Sequence, residues 1–147
     1  MKLHLGVFDV PYTTEKGVTT GDVAEILEAR YEPMGIFYEA HKQDIADKIG
    51  GALEKALRTA LMGGPSDLGK VLQNSTSEVD EMFKDFLSSR EFEYQSRLKG
   101  FSFGVPTQAA LKGVNRRLKL KRGARRPSLI DTGQYQASFH SWLEIGK

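Results

Sequence analysis

Two adjoining stretches hold the residue types whose spacing could do chemistry. Lys112 to Arg126 carries eight Lys or Arg residues in fifteen positions and no acid. Arg116, Arg117, Lys119, Lys121, Arg122, Arg125 and Arg126 are interleaved there with Leu118 and Leu120. Cations at this density neutralise phosphates or carboxylates without reading a sequence, because such contacts are mainly electrostatic. No aromatic residue lies among them for base stacking, and no DNA-binding motif is recognisable. The alternatives are therefore an acidic protein neighbour, direct nucleic-acid contact, or a solvated charge run. The second stretch follows at once: Pro127-Ser128-Leu129-Ile130-Asp131-Thr132-Gly133-Gln134-Tyr135-Gln136-Ala137-Ser138-Phe139. It reads on chemistry alone as a capped turn leading into a terminal strand, with Tyr135 packed inward and Gly133 allowing close backbone approach.

Other candidates are weaker. His4, His41 and His140 are scattered, with none in a metal-ligand spacing, and read as structural or surface histidines. Asp80, Glu81 and Asp85 read as one solvated helix face. Gly100 to Gly104 lacks the Lys-Ser/Thr of a phosphate loop and the third glycine of a dinucleotide fingerprint. No nucleophile with its base can be assembled, so neither catalysis nor a cofactor or metal is expected.

The 147 residues suit one domain, 1–147, with a basic arm at about 112–126. At 39% hydrophobic and 27% charged the chain is globular, and no apolar run approaches the roughly 20 residues of a membrane helix, so no membrane partner is expected. Without cysteine, stability must come from packing or from neighbouring subunits. Met1 to Leu5 lacks the basic and apolar segments of a signal peptide, which implies retention in the cytoplasm of the producing cell. The net charge of +2 conceals an asymmetry. Outside Lys112 to Arg126 there are 13 basic and 19 acidic residues, a net −6, so an acidic body carries a basic segment.

Several elements must position these stretches. Leu3 to Val10 reads as a strand ending at Pro11 and pairing with something distant. Thr20 or Asp22 is placed to cap a helix through about Tyr31, with Glu25 three residues beyond Asp22, and Pro33 ends or offsets that helix. Apolar residues from Met34 to Met62 recur every three or four positions, which predicts a long amphipathic helix stopped by Gly63-Gly64-Pro65. Gly50-Gly51 inside it predicts a kink or a close helix contact. Ser66 to Asn74 reads as a connector, and Ser75 with Glu78 as a capping box. The box opens a helix whose stripe is Val79, Met82, Phe83, Phe86 and Leu87, continuing to Leu98. Gly100 to Pro106 predicts a loop anchored by its two aromatics, and Thr107 starts a short helix. Within the basic segment, Leu118 to Lys121 alternates like a strand with Gly123-Ala124 as a tip, leaving a two-stranded arm or an extended loop. Asp131 or Thr132 is placed to cap a short turn before a last strand, Ser138 to Leu143. There is no internal repeat.

The string Arg126 to Phe139 resembles the Pro-x-Leu-x-Asp-Thr-Gly-x-Leu/Tyr-x-x-Ser-hydrophobic signature of bacteriophage neck and tail-completion (head-tail joining) proteins. The matching positions are Pro127, Leu129, Asp131, Thr132, Gly133, Tyr135 and Ser138. Asp-Thr-Gly also occurs in aspartic proteases, but a chain with one such triplet must dimerise to pair two aspartates, and those enzymes are β-rich. The resemblance implies an α+β fold: a small antiparallel sheet against long amphipathic helices, with a basic extended arm. It also implies a structural virion protein, made in the host cytoplasm, that forms a ring, sixfold, at the head-tail junction around the DNA channel. Its partners would be its own copies, neighbouring neck and tail proteins, and packaged DNA through non-specific contact. The seven cations of the arm would make assembly or DNA contacts. A tail terminator and a nucleic-acid-binding accessory protein are the alternatives.

Overall fold

Two strands at opposite ends of the chain meet in one antiparallel sheet: β1 (Lys2–Val7) and β2 (Phe139–Glu144), in a register running from Lys2 opposite Glu144 to Val7 opposite Phe139. The computed structural model describes residues 1–13, 16–98, 105–115, 119–144 and 146. The fold is α+β, with the small sheet packed against long helices. Between the strands come α1 (Thr20–Tyr31), α2 (Pro33–Leu61), α3 (Leu68–Ser88), α4 (Glu91–Leu98), α5 (Gln108–Lys112) and α6 (Gln134–Ser138). None of the described helices is long and apolar enough to cross a membrane. The distant partner expected for the first strand is thus the last one, although β1 stops at Val7, three residues short of the predicted end.

Local chemistry explains most boundaries. The cap of α1 is Thr19, one residue before the predicted candidates, and Asp22 is the reciprocal member of its capping box. Glu32, with φ 49°, breaks the chain, and Pro33 opens α2 at the first helical position, where its missing N–H costs nothing. The Glu28 carboxylate accepts from the N–H groups of Met34 and Gly35 and so closes the start of α2. The predicted contact at Gly50-Gly51 is absent among the described residues, because apart from chain neighbours and the helix's own backbone no atom lies within 4 Å of where a Cβ would stand on either residue. Alanine at Gly50 or Gly51 is accordingly expected to stabilise the fold by about 0.5–1 kcal/mol each, read as a higher denaturation midpoint.

The expected connector at Ser66 to Asn74 is largely helix. α3 begins at Leu68, capped by Asp67, whose Oδ1 accepts from Lys70 N–H at 3.1 Å. Ser75, Thr76 and Ser77 do not cap anything; their hydroxyls donate to the carbonyls of Leu72 and Gln73 within the helix. The helix expected to reach Leu98 breaks at Arg90, which has φ 65°, and α4 restarts at Glu91.

The core is aromatic. Phe83 of α3 stacks on Phe139 of β2 at 3.9 Å and meets Phe37 of α2 edge-on at 5.2 Å, while Phe86 joins Phe37 and Phe92. Leu3, Leu5 and Val7 of β1 share the sheet face that turns to this cluster. Asp80 departs from its predicted solvated face: its Oδ1 accepts from Ser141 N–H at 2.7 Å, with Ser141 Oγ at 2.6 Å, and its Oδ2 faces His140 Nδ1 at 3.3 Å. The strand's packing on α3 brings an unpaired N–H to that carboxylate. Glu81 and Asp85 remain exposed.

Candidate assembly site around the basic segment

The basic segment is rooted on α5. Thr107 caps that helix through its hydroxyl, accepting from Ala110 N–H, and Gly113 ends it at φ 61°. Asn115 and Leu120 then exchange both main-chain hydrogen bonds, at 2.9 and 2.8 Å, and Lys119 turns with φ 56°. Gly123-Ala124, predicted as the tip, instead lies back at the root, with Gly123 N–H donating to the Lys112 carbonyl. Among the described residues the pairing in the segment is this single antiparallel bridge, short of the two-stranded arm, one of the two expectations. Gly50 and Gly113 are opposites: a Cβ on Gly113 would overlap the Ala124 carbonyl and the Gly123 backbone, and its φ disfavours any side chain. Gly113→Ala is expected to detach residues 119–125, measured as faster amide exchange at Asn115 and Leu120 while the Ser141 amide stays protected.

The seven cations divide by environment. Arg116 and Arg117, like Leu118, lie outside the described residues, as does the Gly100 to Gly104 part of the predicted aromatic loop. Lys119, Lys121 and Arg122 are exposed and make no ion pair among the described residues. Arg125 and Arg126 instead bond the body, Arg125 while still exposed and Arg126 half-buried. Arg125 donates to Glu93 at 2.7 Å, and Arg126 donates to the carbonyls of Ile130 and Val114, with its guanidinium 3.7 Å from Asp131. These two fasten the segment to the body.

Glu93 of α4 is the residue that sequence reasoning missed. Its side chain is 6% exposed, and besides Arg125 it accepts from Ser128 N–H at 3.0 Å and Ser128 Oγ at 2.8 Å. A signal did exist, since Glu93 lies seven residues beyond Phe86 and so continues the apolar stripe with a carboxylate.

The Pro127 to Ser138 string crosses from this clamp to the sheet. Pro127 and Leu129 are half-buried, and Leu129 packs against the core with φ 66°. Asn115 Nδ2 donates to the Asp131 carbonyl at 3.2 Å, tying string and turn together. Neither Asp131 nor Thr132 is the N-cap of α6; Gly133 holds that position at φ 80° without a side-chain cap, and Thr132 Oγ1 only accepts a long 3.4 Å bond from Gln134 N–H. Gly133 has no neighbour within 4 Å of a Cβ position, so its conformation rather than close approach calls for glycine. Tyr135 is buried, and burial, with Glu28 and Tyr12 nearby, pushes its hydroxyl far above its usual titration range. Ser138 Oγ donates to the Tyr135 carbonyl at 2.8 Å, closing α6 where β2 begins. Leu129, Asp131, Gly133 and Tyr135, with Leu27 and Tyr31 of α1, line a cleft of about 320 Å³.

The histidines stay apart: His4 faces Glu144 at 2.8 Å, His41 faces Glu91 at 3.1 Å and His140 faces Asp80. Among the described residues no three His, Asp or Glu side chains are placed to hold a metal. What the site offers is an exposed group of cations beside a polar clamp, from which the 127–138 string runs on into the last strand. Neither a protein-family model, nor a curated protein, nor a solved structure matches the chain.

Proposed function

We propose that this protein is a structural, non-catalytic virion protein of a tailed bacteriophage, forming a sixfold ring of neck or tail-completion type at the head-tail junction. The observation that carries this reading is the Pro127 to Ser138 string, whose signature residues join the clamp of a basic segment to the last strand. The charge asymmetry supports it, since an acidic body with an exposed cation group suits contact with a neighbouring copy or with DNA in the channel. Electron microscopy of the purified protein and of virions is the test. Rings and a place at the neck are expected; absence from particles would sink the reading.

Free Lys119, Lys121 and Arg122 favour a second reading, a nucleic-acid-binding accessory protein. Under it the isolated monomer binds DNA with a steep salt dependence, and replacing these three by alanine abolishes binding. No binding at low salt removes that reading. Arg125 and Arg126 are unsuited to the experiment because both already bond the body, Arg125 to Glu93 and Arg126 to the carbonyls of Val114 and Ile130. An enzymatic role would require peptide cleavage that is lost in Asp131→Asn with assembly unchanged.

A further inference from the structure

The two edges of the sheet are treated differently. Phe8 N–H donates to the Ser138 carbonyl, which sets the phase of the ladder: Lys2, His4 and Gly6 make the main-chain bonds to β2. Leu3, Leu5 and Val7 therefore direct their N–H and C=O groups away from β2, and these have no partner among the described residues. On the opposite edge the corresponding outward N–H of Ser141 is taken by Asp80. At Ser141 the β2 edge is closed by α3, whereas the β1 edge has no main-chain partner among the described residues.

The open edge lacks the features that keep an edge strand solitary. Residues 3–7 contain no Lys, Arg, Asp or Glu, no proline and no bulge. Where β1 starts, an apolar groove of about 290 Å³ lies between the sheet face and α2, lined by Leu3 and its cross-strand neighbour Leu143 with Tyr38, Ile45 and Ile49. Tyr38 is 43% exposed and Met1, at the groove's mouth, 63%.

We infer that the β1 edge pairs antiparallel with β1 of a second copy, about a two-fold axis through Leu5, to give a continuous four-stranded sheet. The strand is complementary to itself in that register. Leu5 falls opposite Leu5 and Leu3 opposite Val7, so all the outward main-chain groups pair. The apolar faces also stay on one side, with the second copy's Val7 beside Leu3. His4 falls opposite Gly6, which has no side chain to obstruct it. The ends are complementary in charge too. Lys2 at one end is exposed, and Asp9 just beyond the other is exposed with its carboxyl held below the usual range by Thr19 and the Gly21 N–H. Antiparallel pairing brings each Lys2 to the partner's Asp9 end, whereas parallel pairing sets like against like. The outward groups of β1 belong neither to the basic segment nor to the signature residues, and a two-fold pair is a different contact from the head-to-tail one that closes a ring, so the pairing is tested apart from the neck reading.

The chain has no cysteine, which makes the test clean. In a hydrogen-bonded antiparallel pair the Cα atoms stand about 5.5 Å apart, within disulfide reach. Leu5→Cys is expected to form a covalent dimer on mild oxidation or with a short bis-maleimide, and Leu61→Cys, on the far end of α2, is not. Wild type should sediment at tens of micromolar as a dimer or a multiple of one. Leu5→Pro removes the outward N–H and spares the ladder to β2, at the cost of the packing of the Leu5 side chain on the core, and should sediment at half that mass with an unchanged circular dichroism spectrum. A folded wild-type monomer at that concentration overturns the inference. So does cross-linking no faster at position 5 than at position 61, whether or not Leu5→Pro folds.

Discussion

Glu93→Ala is expected to lower stability by about 2–4 kcal/mol, because the Ser128 N–H and hydroxyl lose their acceptor in a site closed to water and Arg125 loses its partner. In a domain of this size that corresponds to a fall of about 10 °C in the thermal midpoint. The loss should be asymmetric. Arg125 is 43% exposed, so its ion pair is screened, and Arg125→Gln should cost no more than about 1 kcal/mol while Glu93 keeps its two bonds to Ser128. Chemical denaturation of both variants decides the matter. Equal losses would mean that charge pairing, rather than anchoring of the main chain at Ser128, holds the basic segment to α4. The same variant bears on function, since a released segment presents Lys119, Lys121 and Arg122 from a wandering root. If rings form at all, Glu93→Ala rings should be fewer than wild type even well below the lowered midpoint.

Phe83→Ala should be still more damaging, at about 3–5 kcal/mol. The ring is fully buried, stacked on Phe139, edge-on to Phe37 and within 6.3 Å of the Tyr135 ring, so it joins the α2–α3 hairpin to the sheet and to α6 at once. A cavity there cannot be filled by one neighbour without moving another. Leu61→Ala provides the contrast, since that side chain is 80% exposed and its loss should fall within about 0.5 kcal/mol. Should Phe83→Ala prove as mild as Leu61→Ala in a denaturant titration, the aromatic cluster is not what couples helices to sheet.

What the sequence determined by itself is local. The three- and four-residue recurrence in α2 and in the Val79 to Leu87 part of α3 fixes those helices, because periodicity depends only on which face must leave water. The stop at Gly63-Gly64-Pro65, the cap at Thr107 and the burial of Tyr135 are legible for similarly local reasons. The start of α3 was not. A run of Ser-Thr-Ser is equally able to cap a helix or to bond back inside one, and only the preceding turn decides between them.

The basic segment and the string after it divide along the same line. Charge density and the 127–138 string are properties of the chain and were visible in it. Which cations remain free is a tertiary property. Arg125 and Arg126 are indistinguishable in type from Arg122, yet they are spent on Glu93 and on the carbonyls of Val114 and Ile130, because α4 and α5 happen to stand there. Asp80 and Glu93 were drawn inward for a similar reason, each meeting main-chain N–H groups that no local rule leaves unpaired. The open edge of β1 likewise exists only once the first and last strands have met and α3 has closed the far side. Sequence set the periodicities, the turns and the charge; the long-range pairing of polar groups out of water set which of those charges face solvent.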